Sequence, residues 1–133
     1  MIAFDGWRAA AGLALAAALA AGPGCGRGKS AQELTAQLKD PGSAQRLRAA
    51  KELGGRGADP ELAVPALAQA LKDEDAFVRR GAAEALGRFG PEAAAAAPAL
   101  VAAQRDRNRA VRKAASEALR KVAPEAAPRA GKR

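Results

Sequence analysis

Cys25 is the only cysteine in this 133-residue chain, and the chain has no histidine. A missing histidine removes the commonest general base and metal ligand, which excludes a His-based zinc site and a Ser-His-Asp triad. A single thiol cannot close an internal disulfide. Gly28-Lys29-Ser30 matches the end of a phosphate-cradling G-x-x-x-x-G-K-S loop, but Pro23 stands where the first glycine belongs and no strand precedes it. The G-x-G-x-x-G pattern fails as well, because Arg27 or Lys29 falls at the third glycine. The sequence therefore predicts no catalytic residue, no metal site and no cofactor.

The surroundings of Cys25 give it a different chemistry. Arg8 is followed by an uncharged, Ala-rich run, Ala9 to Ala21, that carries Leu13, Leu15 and Leu19. This run suits the apolar part of a signal peptide and is too short to span a bilayer comfortably. Behind it comes Gly22-Pro23-Gly24-Cys25-Gly26. Small residues before a cysteine, directly after such a run, resemble the lipobox of bacterial lipoproteins. The resemblance implies cleavage before Cys25, a lipid on its thiol and attachment to a membrane of the cell envelope. Residues 26–30 would then be a Gly-rich tether. A cut after Ala18-Leu19-Ala20, giving a soluble secreted protein, and an uncleaved anchor are the alternatives.

Beyond residue 30 the chain must be built from helices. Alanine makes up roughly 30% of it and aromatic residues 3%, a balance that favours tightly packed helices over sheet. Residues 63–93 superimpose on 96–126 at a shift of about 33, the period of an α-solenoid. Leu67/Leu100, Asp73/Asp106, Val78/Val111, Arg79/Arg112 and Leu86/Leu119 are shared, and Leu38, Asp40, Arg46 and Leu53 hold the same phase in an earlier copy. Each copy reads as two short helices. Ser30 and Glu33 form a capping box, Ser43 is expected to cap the second helix, and Asp59-Pro60 opens the next copy. Pro65 predicts a break before residues 66–72. Asp73-Glu74-Asp75 and Asn108 start the second helices of the later copies. In the last of these, Val111, Ala115, Ala118 and Val122 share one face, flanked by Ala114 and Leu119, with Arg109, Lys113 and Arg120 opposite.

These features resemble HEAT repeats of the short type found in phycobilisome-lyase-like proteins, clearest in Ala63-Val64-Pro65-Ala66-Leu67 and Val78-Arg79-Arg80-Gly81-Ala82-Ala83-Glu84-Ala85-Leu86-Gly87. The resemblance implies an all-α solenoid of about three hairpins over residues 31–127, with approximate repeats 31–58, 59–91 and 92–124. It also implies a structural ladder in which the Asp after the first helix and the Arg early in the second run along the stack: Asp40/Arg46, Asp73/Arg79 and Asp106/Arg112. Some relatives act as bilin lyases or their subunits, but this chain has neither His nor a second Cys to handle a chromophore. In the last copy Gln104 replaces Leu38 and Leu71, and Arg120 replaces Gly87, polar changes that suit a terminal repeat facing water.

The formal charge of the chain is +8, and almost all of it lies between Arg105 and Arg133. Arg107, Arg109, Lys113, Arg120 and Lys121 are candidate contacts for an anionic partner, with 128–133 as a basic tail. No aromatic residue interleaves them, which weighs against nucleic acid. The leading expectation is a non-enzymatic, membrane-tethered module that holds another protein, with an acidic one as a candidate, along its helical surface. Binding of a polyanion or nucleic acid by the basic end, and service as an accessory subunit of an envelope enzyme, are the alternatives. The oligomeric state is left open.

Overall fold

The computed structural model describes residues 28–55 and 58–126. Among these residues there are six α-helices: α1 (Ala31–Gln37), α2 (Ser43–Gly55), α3 (Pro60–Ala70), α4 (Ala76–Phe89), α5 (Ala97–Ala103) and α6 (Arg109–Val122). A 3-10 helix, Gly90–Ala96, links α4 to α5, and no strand occurs in the described residues. The helices pair as hairpins α1–α2, α3–α4 and α5–α6. The hairpins stack through α2 on α4 and α4 on α6, with α1, α3 and the 3-10 segment forming a second layer. The fold is an all-α solenoid.

Local chemistry sets most of the helix starts. Ser30 Oγ accepts the Glu33 N–H at 3.3 Å while Glu33 Oε2 accepts the Ser30 N–H at 2.7 Å, a complete capping box. Asp59 accepts from Glu61 N–H ahead of Pro60, Asp75 from Phe77 and Val78, and Asn108 from Ala110 and Val111. The start of α2 differs from expectation. Ser43 is its first helical residue rather than its cap. Gly42 occupies the place that Asp75 and Asn108 fill in the other copies and has no side chain to donate an acceptor. The turn keeps the bond common to all three copies, Asp40 Oδ1 accepting the Gly42 N–H at 2.8 Å as Asp73 accepts from Asp75 and Asp106 from Asn108, but lacks the side-chain cap that follows it there.

Pro65 does not break its helix: α3 runs from Pro60 to Ala70 with Pro65 inside. Asp59 and Pro60 fix the first turn, and Ala63, Val64, Leu67 and Ala70 are all buried on one side while Pro65 is exposed. Burial of that face outweighs the one backbone hydrogen bond that the proline removes. The break appears one copy later. Glu92 and Ala93 stand where Asp59 and Pro60 start α3, and the chain makes a 3-10 segment with Ala93 at φ −91°, ψ 16° before α5 restarts at Ala97.

The core follows the repeat. Leu34, Leu67 and Leu100 come from the first helices and Leu53, Leu86 and Leu119 from the second, all essentially inaccessible, with Val78 and Val111 beside them. Each buried leucine contributes about 2 kcal/mol. Alanines fill the remaining inner positions and let the second helices approach closely. At the tightest point a Cβ on Gly54 would lie 2.7 Å from Ala85 Cα, and one on Gly87 would lie 3.2 Å from Ala118 Cα. Gly90 ends α4 at φ 61°, a left-handed conformation that glycine adopts without steric cost. In the last copy Gln104 is half-buried and donates from Nε2 to Ser116 Oγ at 3.2 Å, so its amide is satisfied where the other copies bury leucine. No helix among the described residues is long and apolar enough to cross a membrane.

Candidate functional site

Two features of the stack combine charge with defined geometry: a line of arginine and aspartate side chains through its interior, and the outer face of α2, α4 and α6. The arginines lie in the first turns of α2, α4 and α6, and the aspartates lie in the turns that precede those helices. Arg46 and Arg79 are the only buried charged residues in the described part, at 7% and 5% exposure. Arg46 donates from Nε to Asp73 Oδ2 at 2.9 Å and from Nη2 to Asp73 Oδ1 at 3.1 Å. Arg79 grips Asp106 in the same two-pronged way, at 2.8 and 3.2 Å. The third nitrogen works locally. Arg46 Nη1 donates to the backbone carbonyls of Asp40 and Pro41, and Arg79 Nη1 to those of Asp73 and Glu74.

The ion pairs therefore cross between repeats, while the short spacing seen in sequence corresponds to a contact with the backbone. Asp40 is not paired to Arg46 through its carboxylate, nor Asp73 to Arg79, nor Asp106 to Arg112. Arg112 repeats only the local half, donating from Nη1 to the carbonyls of Asp106 and Arg107. Charge and hydrogen bonding favour the ionised forms of Arg46 and Asp106. The hydrogen bond to Asp73, opposed by burial and helped by the nearby acids, raises the Arg46 pKa above its ordinary value. Burial pushes the Asp106 carboxyl up, but hydrogen bonds from Arg79 and the Asn108 N–H, with the charges of Arg79 and Arg107, outweigh it and leave the carboxyl below the usual range. Arg46 and Asp106, shifted away from neutral pH in this way, suit the joining of repeats rather than proton transfer.

The basic residues singled out from sequence all lie on α6 or in the turn before it. Arg107 sits in the turn before α6; Arg109, Lys113, Arg120 and Lys121 are exposed on α6. Lys113 Nζ lies 3.9 Å from Glu117 Oε1. With Arg80, Glu84, Ala110 and Ala114 these two line a groove of about 280 Å³ between α4 and α6. A second groove, about 130 Å³, continues it between α2 and α4 and shares Arg80 and Glu84 with it; Leu47, Lys51, Phe77 and Gly81 complete its lining. Arg80 is tied to Glu84 at 2.7 Å. Phe77 is 69% exposed, the most exposed large apolar side chain in the described residues. Sequence reasoning missed it. Its signal was the register: Phe77 stands where the flanking copies have Ala44 and Ala110.

A larger groove, about 610 Å³, separates α1 from α3 and is lined mainly by small and uncharged side chains such as Ala36, Pro65, Ala66 and Gln69. Cys25, the whole proposed signal segment 1–25, the start of the tether and the tail 128–133 lie outside the described residues.

Stacked two-helix units, close-packed through small residues and pinned by ion pairs from each unit to the next, define a helical-repeat protein. Comparison with known protein families matches residues 31–120 to HEAT repeats. The chain belongs to the HEAT repeat family. HEAT repeats commonly serve as protein-interaction scaffolds and are typically non-enzymatic. A search of curated proteins gives no match.

Proposed function

We propose that this chain is an exported, lipid-anchored interaction module that binds another protein through the outer face of α2, α4 and α6. The observation that carries the reading is Phe77, which stands exposed at the smaller of two grooves, lined also by Lys51 and Arg80, that shares Arg80 and Glu84 with the groove holding Lys113. An apolar side chain held in water on a rigid helix, ringed by charges that fix orientation, is the arrangement of a binding anchor with a polar rim. The partner surface offers an apolar pocket for Phe77 with carboxylates around it. Glu84 and Glu117, which line the same grooves, oppose a phosphate backbone, so a protein fits this face better than nucleic acid.

The anchor rests on the segment before the repeats, where Cys25 follows small residues and an apolar run. Cleavage before Cys25 removes Trp7, and the chain has no tyrosine. Mature protein should then have almost no near-ultraviolet absorbance beyond its phenylalanines, and Cys25→Ala should leave the protein in the soluble fraction. Retained tryptophan in material isolated from cells would contradict the cleavage. For the binding face, a photo-crosslinking residue at position 77 should capture one defined protein in intact cells. The same residue at exposed Gln69 on α3 should not. Equal capture from both positions would remove the basis for this face.

A further inference from the structure

Among the described residues both ends of the arginine–aspartate line lack the partner that its inner members have, and they complement each other. Inside the stack each guanidinium reaches one repeat forward, Arg46 to Asp73 and Arg79 to Asp106. Arg112 is the same residue of the last hairpin. Its Nη1 is fixed on the carbonyls of Asp106 and Arg107 as in the other two. That leaves Nε and Nη2, the two atoms that hold a carboxylate elsewhere, with no acidic partner among the described residues. At the opposite end Asp40 Oδ1 accepts the Gly42 N–H at 2.8 Å, just as Asp73 accepts from Asp75 and Asp106 from Asn108. Its carboxylate is preorganised like theirs, and no arginine among the described residues reaches it.

The register of the second helices gives an independent sign of the same kind. Gly54 packs on Ala85 and Gly87 on Ala118. The next step of that pattern sets Arg120 against the residue at position 52 of a following unit, which is Glu52. Glycine against alanine inside the stack thus becomes arginine against glutamate at its ends. A further step of the groove pattern sets Glu117 beside Lys51. Arg48, which would come beside Lys113, is the like-charge neighbour, and its 3.0 Å pair with Glu52 offsets it.

We infer that the chain associates head to tail with copies of itself, Arg112 of one copy gripping Asp40 of the next and Arg120 pairing with its Glu52. Arg120 and Glu52 are larger than the glycine and alanine they replace and hold the two helices further apart, so the junction is weaker than the internal contacts and reversible. A head-to-tail contact of this kind does not stop at a two-fold dimer; it adds further copies, into a ring or an open filament. The contact borders the grooves at Lys51, Lys113 and Glu117 but does not use Phe77, Arg80 or Glu84, so it stands or falls separately from binding at Phe77.

The test uses the full chain in mild detergent, which covers the apolar run 9–21 alike in every sample, with circular dichroism confirming equal helix content. In sedimentation velocity the average mass should rise with concentration past that of a dimer. Glu52→Arg alone sets like charges against Arg120, and Arg120→Glu alone sets like charges against Glu52. Each should move association to about tenfold higher concentration. An equal mixture of the two variants restores opposite charges at every junction and should recover the original behaviour. Arg112→Gln should weaken association without recovery in either mixture. A single-chain mass at all concentrations, a closed dimer, association indifferent to both charge reversals, or a mixture that fails to recover would each overturn the inference.

Discussion

Asp106 carries three obligations at once. Its carboxylate receives two hydrogen bonds from the buried Arg79 and one from the Asn108 N–H that shapes the turn into α6. Asp106→Asn keeps the size and one acceptor but strands a guanidinium that is 5% exposed. Leaving one member of a largely buried pair without its partner costs more than the pair itself contributes, and about 2–3 kcal/mol of stability should be lost here. Asp40→Asn removes no arginine partner and should cost under about 1 kcal/mol. Urea unfolding of the two variants checks the contrast, and equal losses would mean that the pairing with Arg79 contributes nothing. The same geometry sets an acid limit. The Asp106 carboxyl is held below its ordinary value in the folded chain, so the stability it supplies is complete above the unfolded carboxylate pKa, about 3.9. It is lost as pH falls through the lower folded value. Stability should therefore drop on acidification in that window, and the drop should shrink in Asp106→Asn.

At the scale of helices, Gly54 and Gly55 are neighbours in α2 with opposite surroundings. A Cβ on Gly54 would meet Ala85 backbone and side chain at 2.7 Å, closer than such atoms come, whereas one on Gly55 would meet only the end of the Arg88 side chain at 3.6 Å. Alanine gains up to about 1 kcal/mol over glycine in a helix, but forcing α2 away from α4 costs about 1–3 kcal/mol. Gly54→Ala should lower the melting temperature, and Gly55→Ala should leave it unchanged or raise it. The elements themselves were legible because their signals are local. Ser30 with Glu33, Asp59 with Pro60, and the leucines repeating through Leu53, Leu86 and Leu119 specify helix starts and buried faces within a few residues. What escaped was decided by partners far along the chain. Pro65 stays helical because Val64 and Leu67 are buried against other elements, and Arg46 finds its carboxylate on Asp73, in the next hairpin. Phe77 looks like any apolar residue in a helix until the stack shows that its position faces water. Gly42 was a different case: Ser43 has the side chain of a cap, but the repeat register puts glycine at the cap position and Ser43 inside the helix.

At the scale of the whole molecule, the middle hairpin is the only one among the described residues packed on both sides, and the outer two each depend on it. The buried surface of α4 is shared between α2 and α6: Gly81 sits against Leu47 and Ala50, and Gly87 sits against Ala118. Removing α5 and α6 would uncover that second side, open Leu86 toward water, and take Asp106 away from Arg79. Domains of this size hold only about 5–15 kcal/mol in total, and arrays of fewer than about three repeats are seldom stable. Contacts in a solenoid run only between neighbours, so no distant part of the chain compensates for the loss. A chain ending at Phe89 should therefore lose most of its helix, well beyond the share of residues removed, and should show no cooperative thermal transition by circular dichroism. The intact chain should unfold in one step. A truncated chain that kept two-thirds of the helix signal and melted sharply would mean that each hairpin is stable alone, and that the line of arginines and aspartates is decoration on units that do not need it.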